Sequence, residues 1–204
     1  MDTKKYWENE YKFRKKDNYD DWLEKYDELI KNCKTKILDL GSGIGADTEF
    51  LINHGKKVVS ADISKTALAR LKESLPEAEI IELDISKPLP FKDNSFDLII
   101  ANLSLHYFDF QTTINVMKEI RRILTKGGNL IARLNSKNDK NHGYGEGEKI
   151  EEDYYFKDNC AKRFFDTTSA NDIFSRIGIA TCDEVEKNRF GNPRKFIEVV
   201  ATKK

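Results

Sequence analysis

From residue 36 to residue 134, short unbroken apolar runs alternate with stretches of helical period. This alternation restricts the fold more than any other feature of the chain. The runs are KILDL (36–40), KVVSADI (57–63), EIIELDI (79–85), FDLIIA (96–101) and NLIARL (129–134). Between them the pattern predicts a helix over 45–54 ended by Gly55. A second begins at Ser64, carries the stripe Ala67, Leu68, Leu71 and Leu75, and stops at Pro76. A third spans 112–125 with Ile114, Met117, Ile120, Ile123 and Leu124, broken by Gly127-Gly128. Strands that are apolar throughout are buried on both faces, so the expected class is α/β with a doubly wound, mainly parallel sheet. Upstream, residues 20–33 place Trp22, Leu23, Tyr26, Leu29, Ile30 and Cys33 on one helical stripe. Downstream, 135–160 is polar and glycine-containing with no clean period. A helix is predicted over 167–177, and 179–188 and 195–202 flank RFGNPR as an antiparallel hairpin.

Charge and cysteine usage exclude several partners. Lys plus Arg and Asp plus Glu each number 35, so no net charge draws the chain toward a polyanion, and the lysines form no basic arm. Neither a nucleic-acid nor a membrane partner is expected. Cys33, Cys160 and Cys182 are odd in number and form no Cys-x-x-Cys. Reduced thiols are therefore expected, with no disulfide framework and no metal site. The N-terminal residues show no apolar signal region, and no apolar run approaches the ~20 residues of a membrane span. The expected location is cytoplasmic.

In an open parallel sheet, ligands bind beyond the carboxyl ends of the strands. The first strand ends Asp39-Leu40-Gly41-Ser42-Gly43-Ile44-Gly45, the second in Asp62, the third in Asp84. The fourth runs into Asn102-Leu103-Ser104-Leu105-His106-Tyr107. Asp62 follows the second strand and is placed to accept from both hydroxyls of a ribose over the glycine turn. It indicates a nucleoside without saying which. The turn itself fits a dinucleotide fingerprint only loosely. Asp39 would repel a pyrophosphate and attract an ammonium group; the alternative is that it caps the turn locally.

The run ILDLGSGIGADTEFL, then Asp62, then LDIS (83–86), PLPFKDNSFDLIIANLSLHYF (88–108) and LTKGGNLIARL (124–134), resembles a class I S-adenosylmethionine-dependent methyltransferase of the small-molecule type. The resemblance covers 36–134 and, in outline, the terminal hairpin. It implies a Rossmann-like seven-stranded sheet with its last strand antiparallel. It implies a single domain over 1–204: an N-terminal helical cap (1–33), a cofactor-binding core (34–134), a lid or substrate segment (135–165) and a C-terminal helix and hairpin (166–204). It also implies roles. Asp39 and the turn Gly41, Ser42, Gly43, Gly45 would hold the methionine part of S-adenosylmethionine. Asp62 would take the ribose, Ile63 and Ile85 the adenine ring, and Asp84 the adenine amino group. Asn102 and Leu103 would lie under the sulfonium. Tyr6, Trp7 and Tyr11 would close over the cofactor. For Asp84 and Asn102 plain turn-capping roles stay open, as does helix packing for Trp7 and Tyr11.

On the acceptor side, His106 and Tyr107 are the candidate catalytic and substrate-binding residues. His106 is a base, a substrate contact or a packing residue. His142 and Tyr144 lie in a segment that reads as a lid over the pocket. His54, at a helix end, reads as structural. Asn102-Leu103-Ser104-Leu105 is no Asn-Pro-Pro-Tyr-like motif, which argues against exocyclic amines of DNA bases. The expected reaction is in-line transfer of a methyl group to a small-molecule acceptor by a monomer or homodimer. The alternatives are a non-catalytic cofactor-binding subunit and a nicotinamide-dependent oxidoreductase.

Overall fold

The structure is a computed structural model and describes residues 3–14, 19–139, 143–189 and 192–204. Its centre is a seven-stranded sheet ordered β3-β2-β1-β4-β5-β10-β9. The strands are β1 (Ile37–Leu40), β2 (Val58–Asp62), β3 (Glu79–Glu82), β4 (Phe96–Asn102), β5 (Leu124–Asn135), β9 (Gly178–Arg189) and β10 (Asn192–Lys203). β1 to β5 run parallel, and β10 lies antiparallel between β5 and β9. The order steps outward from β1 to β3 and then returns, so β4 lies beside β1. That reversal opens a crevice at the carboxyl ends of β1 and β4. The fold is the expected Rossmann-like one, including its antiparallel end.

Each sheet face is covered by an apolar layer. On one face α5 (Phe110–Ile123) and α6 (Thr167–Phe174) bury Ile114, Met117, Ile120 and Phe174 against Leu38, Ile99 and Leu130. On the other, Trp22, Leu23, Ile30 and Leu51 pack on Ile37, Leu98, Ile100 and Ile131. α3 (Ala46–Asn53) and α4 (Lys65–Ser74) complete the crossovers.

Four expectations need correction. The stripe over 20–33 is not one helix. Asp21 takes a positive φ, followed by a short 3-10 turn at Glu24–Tyr26 and α2 (Asp27–Asn32). The break lets Trp22 turn inward to a buried hydrogen bond while Ile30 still faces the core. The third strand stops at Glu82, because it is the exposed edge of the sheet and its chain turns in at Leu83. The fifth strand begins at Leu124, directly after α5. Gly127, at φ +78°, carries a register shift within it rather than ending a helix. Finally, 135–160 is not irregular throughout: β6 (Glu148–Glu151), β7 (Tyr154–Lys157) and β8 (Cys160–Arg163) form a separate antiparallel sheet. Asp158 and Asn159, both at positive φ, make the two-residue turn that joins β7 to β8. That dipeptide between Tyr-Tyr-Phe-Lys and Cys-Ala-Lys-Arg is the signal that composition hid.

Upstream of the sheet, α1 (Thr3–Phe13) docks on the start of α4. Glu8 accepts from the backbone N–H of Lys65 (2.7 Å) and Thr66 (3.1 Å) and from the Ser64 hydroxyl (3.2 Å). It thus caps a helix other than its own. Arg70 donates to the carbonyls of Tyr11 and Arg14 and ties down the other end of α1. Partial burial works to raise the Glu8 carboxyl. The donors Thr66, Lys65 and Ser64 outweigh it and hold the group below the usual range. A depressed carboxyl contributes docking energy above its unfolded pKa and loses it as pH falls through the folded one. The Glu8→Gln variant is expected to speed amide exchange across Thr3–Phe13 about fivefold near neutral pH, the loss of ~1 kcal/mol of capping. Exchange that is unchanged there would place the anchor of α1 elsewhere.

Candidate active site

A cavity of about 360 Å³ opens at the carboxyl ends of β1, β2, β4 and β5, roofed by α1. Its floor is the glycine turn. An ideal Cβ at Gly41, φ +85°, would stand 2.3 Å from Ser104 Cβ, and one at Gly43, φ +54°, 2.6 Å from Tyr11 Oη. The first position admits no side chain. At the second the backbone itself is the cavity surface, under the Tyr11 hydroxyl.

Asp62 is fixed at the end of β2. One oxygen accepts from Gly43 N–H and the other from Ser64 N–H, both at 2.9 Å. Each oxygen keeps lone-pair capacity toward the cavity, which it lines. Burial pushes its carboxyl above the usual range, against the opposing pull of the Ser64 and Gly43 N–H groups. Asp84 Oδ1 accepts from Ser86 N–H (2.9 Å) and the Ser86 hydroxyl (2.6 Å), so the local cap coexists with a second oxygen that has no hydrogen-bond partner among the described residues. Ile63 and Ile85 line the same wall.

Asp39 departs from its expected place. It is buried behind the turn, off the cavity surface, and accepts from Thr48 Oγ1 at 2.6 Å, which in turn meets Ser60 Oγ at 2.8 Å. The carboxylate that fronts the cavity is Asp47, in the first turn of α3, held by Trp22 Nε1 (2.8 Å) and Asn102 Nδ2 (2.9 Å). Burial raises Asp39, and the neighbouring Asp47 charge raises it further; burial raises Asp47 likewise. Asp47, not Asp39, is thus the carboxylate whose position on the cavity wall would suit an ammonium group. The sequence signal was present in GADTE, one helical turn beyond the glycines.

Raised folded-state pKa values have a consequence for pH. Asp39, Asp47 and Asp62 contribute stability to the free protein at low pH and lose it as pH rises through their folded values. Ligand hydroxyl and ammonium donors favour the ionised forms. The gain in melting temperature from S-adenosylhomocysteine is therefore expected to grow from about pH 5 to about pH 8. A gain that is flat or falls over that range would contradict this electrostatic description.

Under the roof, Tyr6, Trp7 and Tyr11 all line the cavity, and Trp7 meets Tyr107 edge-on at 5.0 Å. Leu103 lines it with φ +56°, a strained value for leucine, held by its N–H bond to Arg133 C=O at 2.9 Å. Ser42 Oγ and Asn102 Oδ1 are buried with no hydrogen-bond partner among the described residues. Both belong to the turn and strand end proposed to hold the methionine part. Their orphaned atoms, the Gly43 surface and the second Asp84 oxygen fit a cofactor rich in polar groups.

His106 is 1% exposed and lines the cavity, its ring 4.2 Å from that of Tyr107 and tilted 43° to it. Its carbonyl accepts from Arg163 N–H at 2.7 Å, which ties it to β8. Burial pushes the Tyr107 phenol well above its ordinary value, so near neutral pH Tyr107 donates and is no base. Tyr144 is not brought to the cavity. It packs on Tyr155 and Phe164, 39% exposed, and donates to Asp153 at 3.0 Å. His142 lies outside the described residues. His54 is remote: its Nδ1 lies 2.7 Å from the Phe50 carbonyl and its ring rests on Phe50. Sequence reasoning also missed Asn135 and Arg194, which line the cavity from β5 and β10.

Comparison with known proteins agrees with this geometry. Residues 38–132 match the methyltransferase-domain family. An uncharacterised methyltransferase of Synechocystis sp. is 33% identical over 46% of this chain and 43% of its own length. The demethylmenaquinone methyltransferase of Paenarthrobacter aurescens is 32% identical over 47% and 37%. The chain spans about half or less of the length of the curated relatives it matches. Among solved structures, a methyltransferase from Methanosarcina mazei superposes with a TM-score of 0.68 at 21% identity, covering 82% of this chain and 92% of that one. The 1,6-didemethyltoxoflavin-N1-methyltransferase of Burkholderia thailandensis, bound to its substrate and S-adenosylhomocysteine, superposes at 0.64 with 19% identity, covering 82% and 70%. The glycine turn, the acidic strand ends and the matched family model together show that residues 38–132 carry a methyltransferase domain, similar to those of the S-adenosylmethionine-dependent enzymes.

Proposed function

We propose that this chain transfers a methyl group from S-adenosylmethionine to a small-molecule acceptor by in-line displacement. The observation that supports the reading is one cavity lined by Asp62 and Asp84, which suit a nucleoside, by Asp47, which suits a cation, and by a further wall of His106, Tyr107 and Asn135. The cofactor supplies an electrophilic methyl on a sulfonium. The residues of this chain bind, orient and exclude water. Asp62 and Asp84 hold the nucleoside, and Asp47 the amino acid's ammonium. Asn102 and Leu103 form the floor beneath the transfer. Trp7 and Tyr11 close over it, which keeps a competing water out. Orientation of this kind is worth ~7–11 kcal/mol of a bimolecular barrier. Tyr107, kept protonated, orients the acceptor as a donor; His106 beside it is the candidate general base.

A small acceptor suits a roofed cavity of this volume, which a polymer would not enter without displacing α1. The names of two relatives, for demethylmenaquinone and 1,6-didemethyltoxoflavin, support low-molecular-weight acceptors. The test is a profile of label transferred from methyl-labelled S-adenosylmethionine to a small-metabolite extract, read against heat-treated protein. A labelled small product is the expected result. Cofactor binding with label appearing only in protein or nucleic acid would overturn the acceptor class.

A further inference from the structure

Two polar side chains on the β5–β10 side of the cavity have buried atoms with no hydrogen-bond partner among the described residues. Asn135 ends β5 and is fully buried, and neither its Nδ2 nor its Oδ1 has a hydrogen-bond partner among the described residues. Arg194 gives Nε to Asp139 Oδ2 at 2.5 Å, while its buried Nη2 has no partner among them. Both residues line the cavity. A native protein seldom leaves three such atoms dry, because each has lost water without replacement. A ligand is the ready explanation.

The cofactor is not that ligand. β5 and β10 lie three and four strand positions from β2, on the order of 14 and 19 Å from Asp62 at ~4.8 Å per strand. The cofactor's only carboxylate sits on the same carbon as its ammonium, so it stays beside Asp47, at the β1–β4 crevice. What reaches β10 must be the acceptor. Its charge follows from the ion pairs at this end. Arg133 and Lys25 are matched by Asp20 and Glu198, and Arg194 by Asp139. Lys162, also in the cavity wall, has no ion pair among the described residues. One positive charge is left over.

We propose that Asn135 and Arg194 bind a carboxylate of the acceptor, so that the substrate is a small carboxylic acid methylated at another atom. This rests on the methyltransferase reading above. Arg194 Nη2 and Asn135 Nδ2 supply donors to the two oxygens. Asn135 Oδ1 accepts from a hydroxyl or N–H next to that carboxylate, and a hydroxy acid offers both. Lys162 balances the charge.

The test uses protein saturated with S-adenosylhomocysteine and titrated, by ligand-observed NMR, with mandelate and salicylate and with their neutral amides. Each acid is expected to bind about tenfold tighter than its amide. The preference is lost in Arg194→Gln and partly kept in Arg194→Lys, while S-adenosylhomocysteine affinity in both stays within about twofold of wild type. Acids that bind no better than their amides overturn the proposal. So does a drop of about tenfold in S-adenosylhomocysteine affinity in Arg194→Gln, which would assign the guanidinium to the cofactor. Wild-type protein that fails to bind S-adenosylhomocysteine overturns the functional reading itself, and is distinguished by being measured first.

Discussion

Replacing Asp62 with Asn is expected to weaken S-adenosylhomocysteine binding on the order of 100-fold, about 2.7 kcal/mol, with little change in melting temperature. The size follows from what the carboxylate does. Its two oxygens accept from Gly43 and Ser64 N–H and still face the cavity. An amide of the same shape turns one acceptor into a donor. Whichever way it flips, an N–H group faces another N–H or a ligand hydroxyl that needs an acceptor. The charge-assisted bonds to a ribose, each worth ~1.5–3 kcal/mol, are lost with it. The glycine turn also loses the group that pins Gly43. Stability moves little because burial already penalises the ionised carboxyl in the free protein. Calorimetry reads the affinity and a thermal melt the stability. An affinity change below about threefold would remove Asp62 from the ribose role.

The largest loss of stability is expected at Arg133. This side chain is fully buried between the rings of Trp22 and Phe196, 4.6 and 4.8 Å from the guanidinium carbon. It donates to Asp20 at 2.6 Å and to Glu198 Oε1 at 3.1 and 3.3 Å. Arg133→Met keeps most of the volume and removes the charge, leaving Glu198 buried with Lys25 and the Tyr26 hydroxyl as its side-chain partners among the described residues. Breaking a buried pair from one side costs ~3–5 kcal/mol, because the partner charge stays behind. Urea unfolding of Arg133→Met is expected to show a loss of that order. Adding Glu198→Gln should return part of it, since the stranded charge is then gone. Additive losses in the double variant would mean that the ring contacts, not the ion pair, account for the effect. The same variant loosens Trp22 and Asp20, so a weaker cofactor affinity is expected alongside, through Trp22 and its bond to Asp47.

The fold was legible because its signals are local. Continuous apolar runs and glycine breaks depend only on neighbours in sequence, and the five parallel strands follow from them. Errors fell where local signals conflict with long-range ones. Residues 20–33 have the right stripe but the wrong backbone, since Trp22 is drawn inward by Asp47, 25 residues away. β6 to β8 were hidden because they form a small, half-exposed sheet whose strands are only four residues each and carry charges. Too few apolar residues repeat there for a period to show.

The site divides in the same way. Asp62, Asp84 and the glycine turn were identifiable because each ends its own strand, and a parallel sheet brings all such ends to one rim. Asp39 also ends near that rim, but its alternation along β1 points it into the protein, and its neighbour Thr48 completes the burial. Asp47 takes the place on the cavity wall because α3 starts immediately beyond the turn.

The sequence by itself determined the sheet, the crevice and the acidic strand ends at its rim, since strand period and chain reversal are properties of short segments. Only the tertiary structure decided which residues line the β5–β10 end of the cavity. Asn135 and Arg194 come together because β10 returns antiparallel beside β5, pairing Phe196 with Asn135 across 61 positions of chain. No local pattern encodes that pairing. It arises when burial of two strands selects a register, and the polar residues at their ends are carried along with it.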